Sequence, residues 1–119
     1  MSKHYIIHGL GIEIFYKDLP PHKKFMEYNS LCLALRGDGW RAPTLIELGA
    51  MYEMSKLGVM GFDRSMWTTY WSGDIPLNTF NMPIDSYRKC IHFDRDNPEV
   101  IDQNININYK IKFRPVRSI

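Results

Sequence analysis

Residues 39–48 run Gly39-Trp40-Arg41-Ala42-Pro43-Thr44-Leu45-Ile46-Glu47-Leu48, and the organisation of the chain is read outward from them. Thr44 and Glu47 form a capping box. The threonine hydroxyl accepts from the Glu47 amide, and the Glu47 carboxylate reaches back to the Thr44 amide. Pro43 fixes an extended entry, because its ring locks φ. A helix therefore starts after Thr44. Leu45, Leu48 and Tyr52 share one face of it, Met51 lies beside them, and Gly58 ends it after Lys56 and Leu57. Upstream, Phe25, Tyr28, Cys32 and Leu35 recur at spacings of three, four and three. Leu31 lies beside that stripe, which predicts a first helix of about four turns from about Pro21 to Gly37. Trp40 and Arg41 sit between helix exit and helix entry. The indole is an apolar plug there. Arg41 and Arg117 each carry a planar fork suited to a carboxylate or to backbone carbonyls.

Strand patterns flank the helices. Tyr5-Ile6-Ile7-His8 and Gly11–Tyr16 are short strand candidates, stopped by Asp18-Leu19-Pro20-Pro21. Met66–Ser72 is rich in aromatic and β-branched residues and predicts a strand. Lys89–Phe93 is another, followed by a turn at Asp94–Pro98. Val100-Ile101 starts a further short strand, and Tyr109–Arg114 alternates strictly and predicts the last one. Between Gly73 and Tyr87 lie two prolines, two asparagines and two aspartates, which predict one long loop. Helices segregated from a run of strands point to an α+β fold, not to a parallel doubly wound sheet. With no internal repeat and no linker, residues 1–119 are expected to form a single domain.

Composition narrows the function classes. Hydrophobic residues make up 45% and charged residues 24% of the 119 residues, the balance of a globular chain and not of a disordered one. A formal charge of +2 gives no strong pull toward nucleic acid or anionic membrane, and no specific nucleic-acid partner is expected. No apolar run approaches the roughly 18 residues of a membrane span, so no membrane insertion is expected. The opening residues carry too short an apolar run for a secretion signal, which sets the expectation of a cytoplasmic protein. Two cysteines, Cys32 and Cys90, do not make a disulfide framework and are expected to be buried thiols.

Residues 39–48 resemble the "GWRLPTxxEL" segment of the Lcl C-terminal-like domain family, also called DUF1566. Further markers follow in that family's order: Gly61-Phe62, then Tyr70-Trp71-Ser72, similar to its "YWSS" strand, then Phe93, then Phe113-Arg114-Pro115-Val116-Arg117, similar to its terminal "VRxVR". The likeness spans roughly residues 11–119. It implies a C-type-lectin-like fold, in which two helices flank a small twisted antiparallel sheet and the termini lie close together. Members of that family are usually binding modules; some are surface adhesion domains and some occur in phage. The chain departs from the pattern at Ala42, where leucine is usual, and in its longer and more apolar loop from Gly73 to Tyr87.

Catalytic motifs are absent from the sequence: no G-x-S-x-G, H-E-x-x-H, P-loop or C-x-x-C occurs. Cys90 and His92 stand two apart on one strand with no third group to orient them. The implied fold is shared with formylglycine-generating enzymes, but Cys32 lies on a predicted core face and not in a substrate groove. No enzyme activity and no cofactor are expected. Asp94, Asp96, Asn97, Glu99 and Asp102 place oxygen ligands of the kind calcium prefers in one turn, but not at EF-hand spacing. The turn is expected to be an ordinary polar hairpin turn, and no metal site is assigned.

Three surfaces are candidates for binding. Lys110, Lys112 and Arg114 alternate with Ile111 and Phe113, which puts three cations on one strand face. Asn104, Asn106 and Asn108 alternate with Ile105 and Ile107 and offer adaptable polar contacts. The long loop holds Ile75, Leu77, Phe80, Met82, Ile84 and Tyr87, more apolar side chains than a turn needs. Either it folds over the sheet as a satellite core, or part of it is an exposed apolar patch. The binding surface is placed on Phe80, Met82 and Tyr87, with the three asparagines beside them. The expected function is a non-enzymatic binding module for a protein or glycan; a homo-oligomer, through a second copy, is a further expectation. The alternative is a small phage- or prophage-encoded intracellular protein that binds and modulates a bacterial host protein, or a virion component.

Overall fold

A computed structural model describes residues 4–107 and 111–119. The elements run β1 (Tyr5–Ile7), a 3-10 turn (His8–Leu10), β2 (Ile12–Ile14), α1 (Phe25–Leu33), α2 (Leu45–Lys56), β3 (Thr69–Trp71), β4 (Tyr87–His92), β5 (Glu99–Asn104), β6 (Ile111–Lys112) and β7 (Val116–Ser118). The fold is α+β. One sheet has the order β1-β2-β7 and is antiparallel. The other has the order β5-β4-β3-β6; its last pair, β3 with β6, is parallel. Because β2 pairs with β7, the first and last parts of the chain close on each other. Among the described residues no helix is long and apolar enough to cross a membrane.

The four-stranded sheet is buried on both faces at its centre. Successive strand residues point to opposite sides. On one side Trp71 and its cross-strand partner Cys90 join Phe25, Tyr28 and Cys32 of α1, with Trp40 and Phe113. On the other side Tyr70 and its partner Ile91 join Leu48, Met51 and Tyr52 of α2, with Ile12, Ile14 and Val116 of the small sheet. Sequential residues in β3 and β4 therefore serve two different cores. That explains why residues 69–71 are apolar or β-branched throughout, with no polar face.

The junction at residues 39–48 does what its sequence implies, and more. Thr44 Oγ1 accepts from the Glu47 amide at 3.1 Å, and Glu47 Oε1 accepts from the Thr44 amide at 2.9 Å. The same carboxylate takes both arms of the Arg41 guanidinium, at 2.7 and 3.0 Å. Arg41 also exchanges two backbone hydrogen bonds with Val116, which ties the start of α2 to β7. Arg117 forks onto Glu13 of β2 at 2.7 Å and lies over the Trp40 ring at 4.6 Å.

Four boundaries differ from the sequence reading. The first helix is nine residues long, not about four turns. His22 has φ +64°, which breaks any helix there, and Trp40 Nε1 captures the Arg36 carbonyl at 2.9 Å, turning the chain out beyond Leu33. Gly37 then takes φ +91°, with the Arg117 guanidinium where its Cβ would sit. The third strand begins only at Thr69, since Met66 and Trp67 form a turn. The strand expected over Tyr109–Arg114 is β6, at Ile111–Lys112; Tyr109 and Lys110 lie outside the described residues. Finally, β7 is a strand the pattern did not show, being three residues long and following Pro115.

Both cysteines are free and buried. Burial pushes the Cys32 thiol up to about 11 and the Cys90 thiol well above its ordinary value, the latter also through the Asp102 charge. Neither forms thiolate at neutral pH. In the native protein both should resist a thiol reagent at pH 7.5 and react only on unfolding; rapid native labelling of Cys32 would contradict its place against the sheet. A second expectation concerns Glu47. Burial works against its ionised form, but the Arg41 fork, the Thr44 amide and the Arg41 charge outweigh that and hold the carboxyl below its ordinary value. Its stabilising contribution is therefore full above the ordinary carboxylate range and lost as pH falls through the lowered value. Glu47→Gln should cost about 2 kcal/mol at neutral pH. Its deficit in thermal melts should shrink as the pH is taken below about 4; a pH-independent deficit would contradict the pairing.

Candidate functional site

The segment from Gly73 to Tyr87 is a braced hairpin and not a slack loop. At its base, Ser72 donates through both its amide and its hydroxyl to the Lys89 carbonyl, at 2.9 and 2.7 Å. Lys89 returns its amide to the Asp74 carbonyl at 2.9 Å, and Gly73 donates to Pro43 at 2.7 Å. Further out, Ile84 donates to Pro76 at 2.9 Å, and Leu77 and Pro83 form an antiparallel bridge. The tip is built on Asn78. Its backbone amide donates to the Met82 carbonyl at 2.8 Å, and its side-chain oxygen accepts from the Phe80 and Met82 amides at 2.8 and 3.1 Å. Asn81 sits at φ +59°, a conformation asparagine tolerates better than most residues. The Arg88 guanidinium locks the base by donating to the Asp85 and Tyr87 carbonyls and lying over Phe25.

The hairpin divides its apolar side chains between two environments. Pro76 is buried, and Ile75 and Ile84 are half-buried at the base. Leu77, Phe80 and Met82 are exposed, Phe80 at 83%. The base is thus partly covered, although none of its apolar side chains joins either hydrophobic core, and the tip is an exposed patch. A fixed backbone that presents a phenyl ring and a thioether to solvent has already lost the conformational entropy that binding would otherwise cost.

The remaining predicted site residues fall in different places. Tyr87 and Asn104 are direct cross-strand partners at the end of the β4–β5 ladder. Asn104 does not present an open polar face, because its side-chain oxygen accepts from the Asn106 amide at 2.8 Å and closes a turn. Asn106 is exposed in that turn, so the asparagine series is not one side of a strand. Asn108 and Lys110 lie outside the described residues. Lys112 is half-buried and pairs with Asp63 at 3.4 Å.

Arg114 requires a correction. It is 1% exposed, and its guanidinium donates to Asp18 at 2.8 Å, to Met60 O at 2.9 Å and to Phe15 O at 3.3 Å, with the Phe62 ring 4.2 Å away. The basic stripe does not form one exposed face, because the chain leaves β6 after Lys112 and both Phe113, packed on the α1 side of the sheet, and Arg114 are enclosed.

The acidic turn after β4 has internal partners. Asp94 accepts from the Trp67 amide at 2.8 Å, and Arg95 lies between Asp94 and Glu99 at 3.8 and 3.6 Å. His92 shares a 2.8 Å hydrogen bond with Thr69 across the sheet, while the Cys90 sulfur faces the Arg88 carbonyl. Comparison with known proteins gives no match to any protein-family model, curated protein or solved structure.

Proposed function

We propose that this chain is a non-enzymatic binding module, C-type-lectin-like in architecture, whose hairpin at residues 74–87 inserts Phe80 into an apolar pocket of a protein partner. The observation that carries the reading is the exposed Phe80 ring on a hairpin held rigid by Asn78. Aromatic residues and methionine are enriched at protein interfaces, and a few such anchors carry most of the binding energy. An apolar tip of Leu77, Phe80 and Met82 suits a protein better than a glycan, since it offers no hydrogen bonds to sugar hydroxyls. Tyr87 lies exposed at the foot of the hairpin as a rim contact. Among the described residues the candidate nucleophiles suit binding better than catalysis: both thiols stay protonated, and the Thr69 hydroxyl that meets His92 is buried in the sheet.

The test is capture from a lysate with Phe80→Ala/Met82→Ala beside the native sequence. Exposed side chains contribute little to folding, within roughly 0.5 kcal/mol each, so the double variant should melt within a few degrees of the native protein. It should lose its protein partner at least tenfold. If the partner is a second copy, sedimentation will show a native dimer and a monomeric variant. Equal capture by both proteins would move the interface elsewhere, and a collapse in melting temperature would make the tip part of the core.

A further inference from the structure

At the opposite end of β3 from the hairpin, a cleft of about 250 Å³ opens between Pro21-His22, the turn at 63–68, and β6. Two of its lining residues hold backbone conformations that L side chains rarely adopt: His22 at φ +64° and Trp67 at φ +70°. For a residue as bulky as tryptophan this is a true outlier. Such strain persists only where surrounding contacts impose it, and it concentrates at functional sites. The contacts that impose it are visible. The Trp67 amide donates to Asp94 at 2.8 Å, the Ser65 and Thr68 hydroxyls meet at 3.0 Å beneath the turn, and the Arg95 guanidinium lies 5.9 Å from the indole.

The strain is not offset by burial of the side chain. Trp67 is 58% exposed and Met66 beside it is more so, whereas Trp40 and Trp71 are both buried. A core tryptophan is held in place by what it covers; Trp67 is held at its backbone and leaves its ring at the rim of the cleft. Within reach of that rim are a cation and an anion that already neutralise each other. Lys112 Nζ lies 3.4 Å from Asp63 Oδ2, and Asp63 Oδ1 accepts from the Ser65 amide at 2.8 Å. The lining thus offers an aromatic face, one ammonium, one carboxylate, hydroxyls and an imidazole, with no net charge apart from any on His22.

We infer that this cleft is a binding site for a neutral polyhydroxylated ring, a single sugar residue, laid against the Trp67 indole with its hydroxyls bridging Asp63 and Lys112. A sugar hydroxyl both donates and accepts, so it can satisfy a carboxylate and an ammonium in turn without displacing either from its partner. An anionic ligand would have to compete with Asp63 for Lys112, and a purely apolar one would strip water from the Lys112–Asp63 pair without replacing its hydrogen bonds. The cleft lies just below the usual size range of sites for drug-sized ligands, which suits one ring and not an extended chain. The site is independent of the protein-binding hairpin and stands or falls apart from it.

The test uses glucose, galactose, mannose and N-acetylglucosamine as probes. Since Trp67 is the exposed tryptophan among the three in the chain, intrinsic fluorescence reads its surroundings directly. At least one of these sugars should give a saturable change with a Kd on the order of millimolar, as expected for so small a ligand. Saturation-transfer NMR then compares variants. Trp67→Gly relieves the positive φ, because glycine adopts it freely. It should bind the sugar at least tenfold more weakly while melting at the same or a higher temperature. Lys112→Gln should also weaken binding several-fold, and it covers the case in which Trp67→Gly is poorly folded. The inference is overturned if none of the four sugars saturates, if inorganic phosphate binds in their place, or if both variants bind sugar as the native protein does.

Discussion

A buried guanidinium holds this molecule together. Arg114 lies on the stretch between β6 and β7, and its partners come from two other parts of the chain: Phe15 and Asp18 after β2, and Met60 and Phe62 after α2. Asp18 in turn accepts from the Tyr70 hydroxyl of β3 at 2.7 Å, and that hydroxyl accepts from the Asp63 amide at 3.0 Å. Burial first, and then the Asp18 charge, push the Tyr70 phenol far above its ordinary value, so its proton stays on oxygen and is donated to the carboxylate. A guanidinium suits this place because its donors radiate in one plane and its face stacks on an aromatic ring. An apolar residue there would remove the donor to Asp18 Oδ1 and to the Phe15 and Met60 carbonyls, each at a cost.

The chain around Arg114 does related work with its backbone. Leu19 donates to Phe113 O at 3.0 Å and Phe15 to Pro115 O at 2.9 Å, and β7 then pairs with β2 and with Arg41. The last described residues therefore bind both sheets and the start of α2 together. The four-stranded sheet that results is enclosed by α1 on one face and by α2 with the small sheet on the other. Its centre is rigid, and β3 leads at one end into the braced hairpin and at the other follows the strained turn at Trp67. Segments placed at the ends of a doubly buried strand keep their geometry without being part of a core.

How much of this was legible in the sequence depended on the range of the forces involved. The α2 start was legible in full, since the Thr44–Glu47 box is a local device closed within one turn. The first helix followed from periodicity, β3 from its aromatic and β-branched composition, and the α+β class from the order of helices and strands. The apolar excess of the segment from Gly73 to Tyr87 left a satellite core and an exposed patch both open, because composition does not say which side chains meet solvent. Arg114 was misread for an equally physical reason. Alternation predicts which residues share a face, but not whether that face meets solvent, and the partners that bury Arg114 lie 96 and 54 residues away at Asp18 and Met60. The positive φ at Trp67 left no signal either, because tryptophan does not favour it and the Asp94 carboxylate that holds its amide lies 27 residues away. Asn104 was taken for a surface contact although its spacing to Asn106 is that of a side chain closing its own turn.

The central claim is that the Arg114–Asp18 pair is a structural knot and not part of a surface. Breaking one side of a buried ion pair leaves the other charge without a partner and costs about 3–5 kcal/mol, a large share of what a domain of this size has. The most direct measurement is urea unfolding of Arg114→Met, which keeps length and apolar bulk but removes every donor. The account predicts a loss of about that size, or a chain that no longer unfolds cooperatively, and a smaller added loss when Asp18→Asn is combined with it than when Asp18→Asn is made alone. A variant Arg114→Met that unfolds at the urea concentration of the native protein would contradict it.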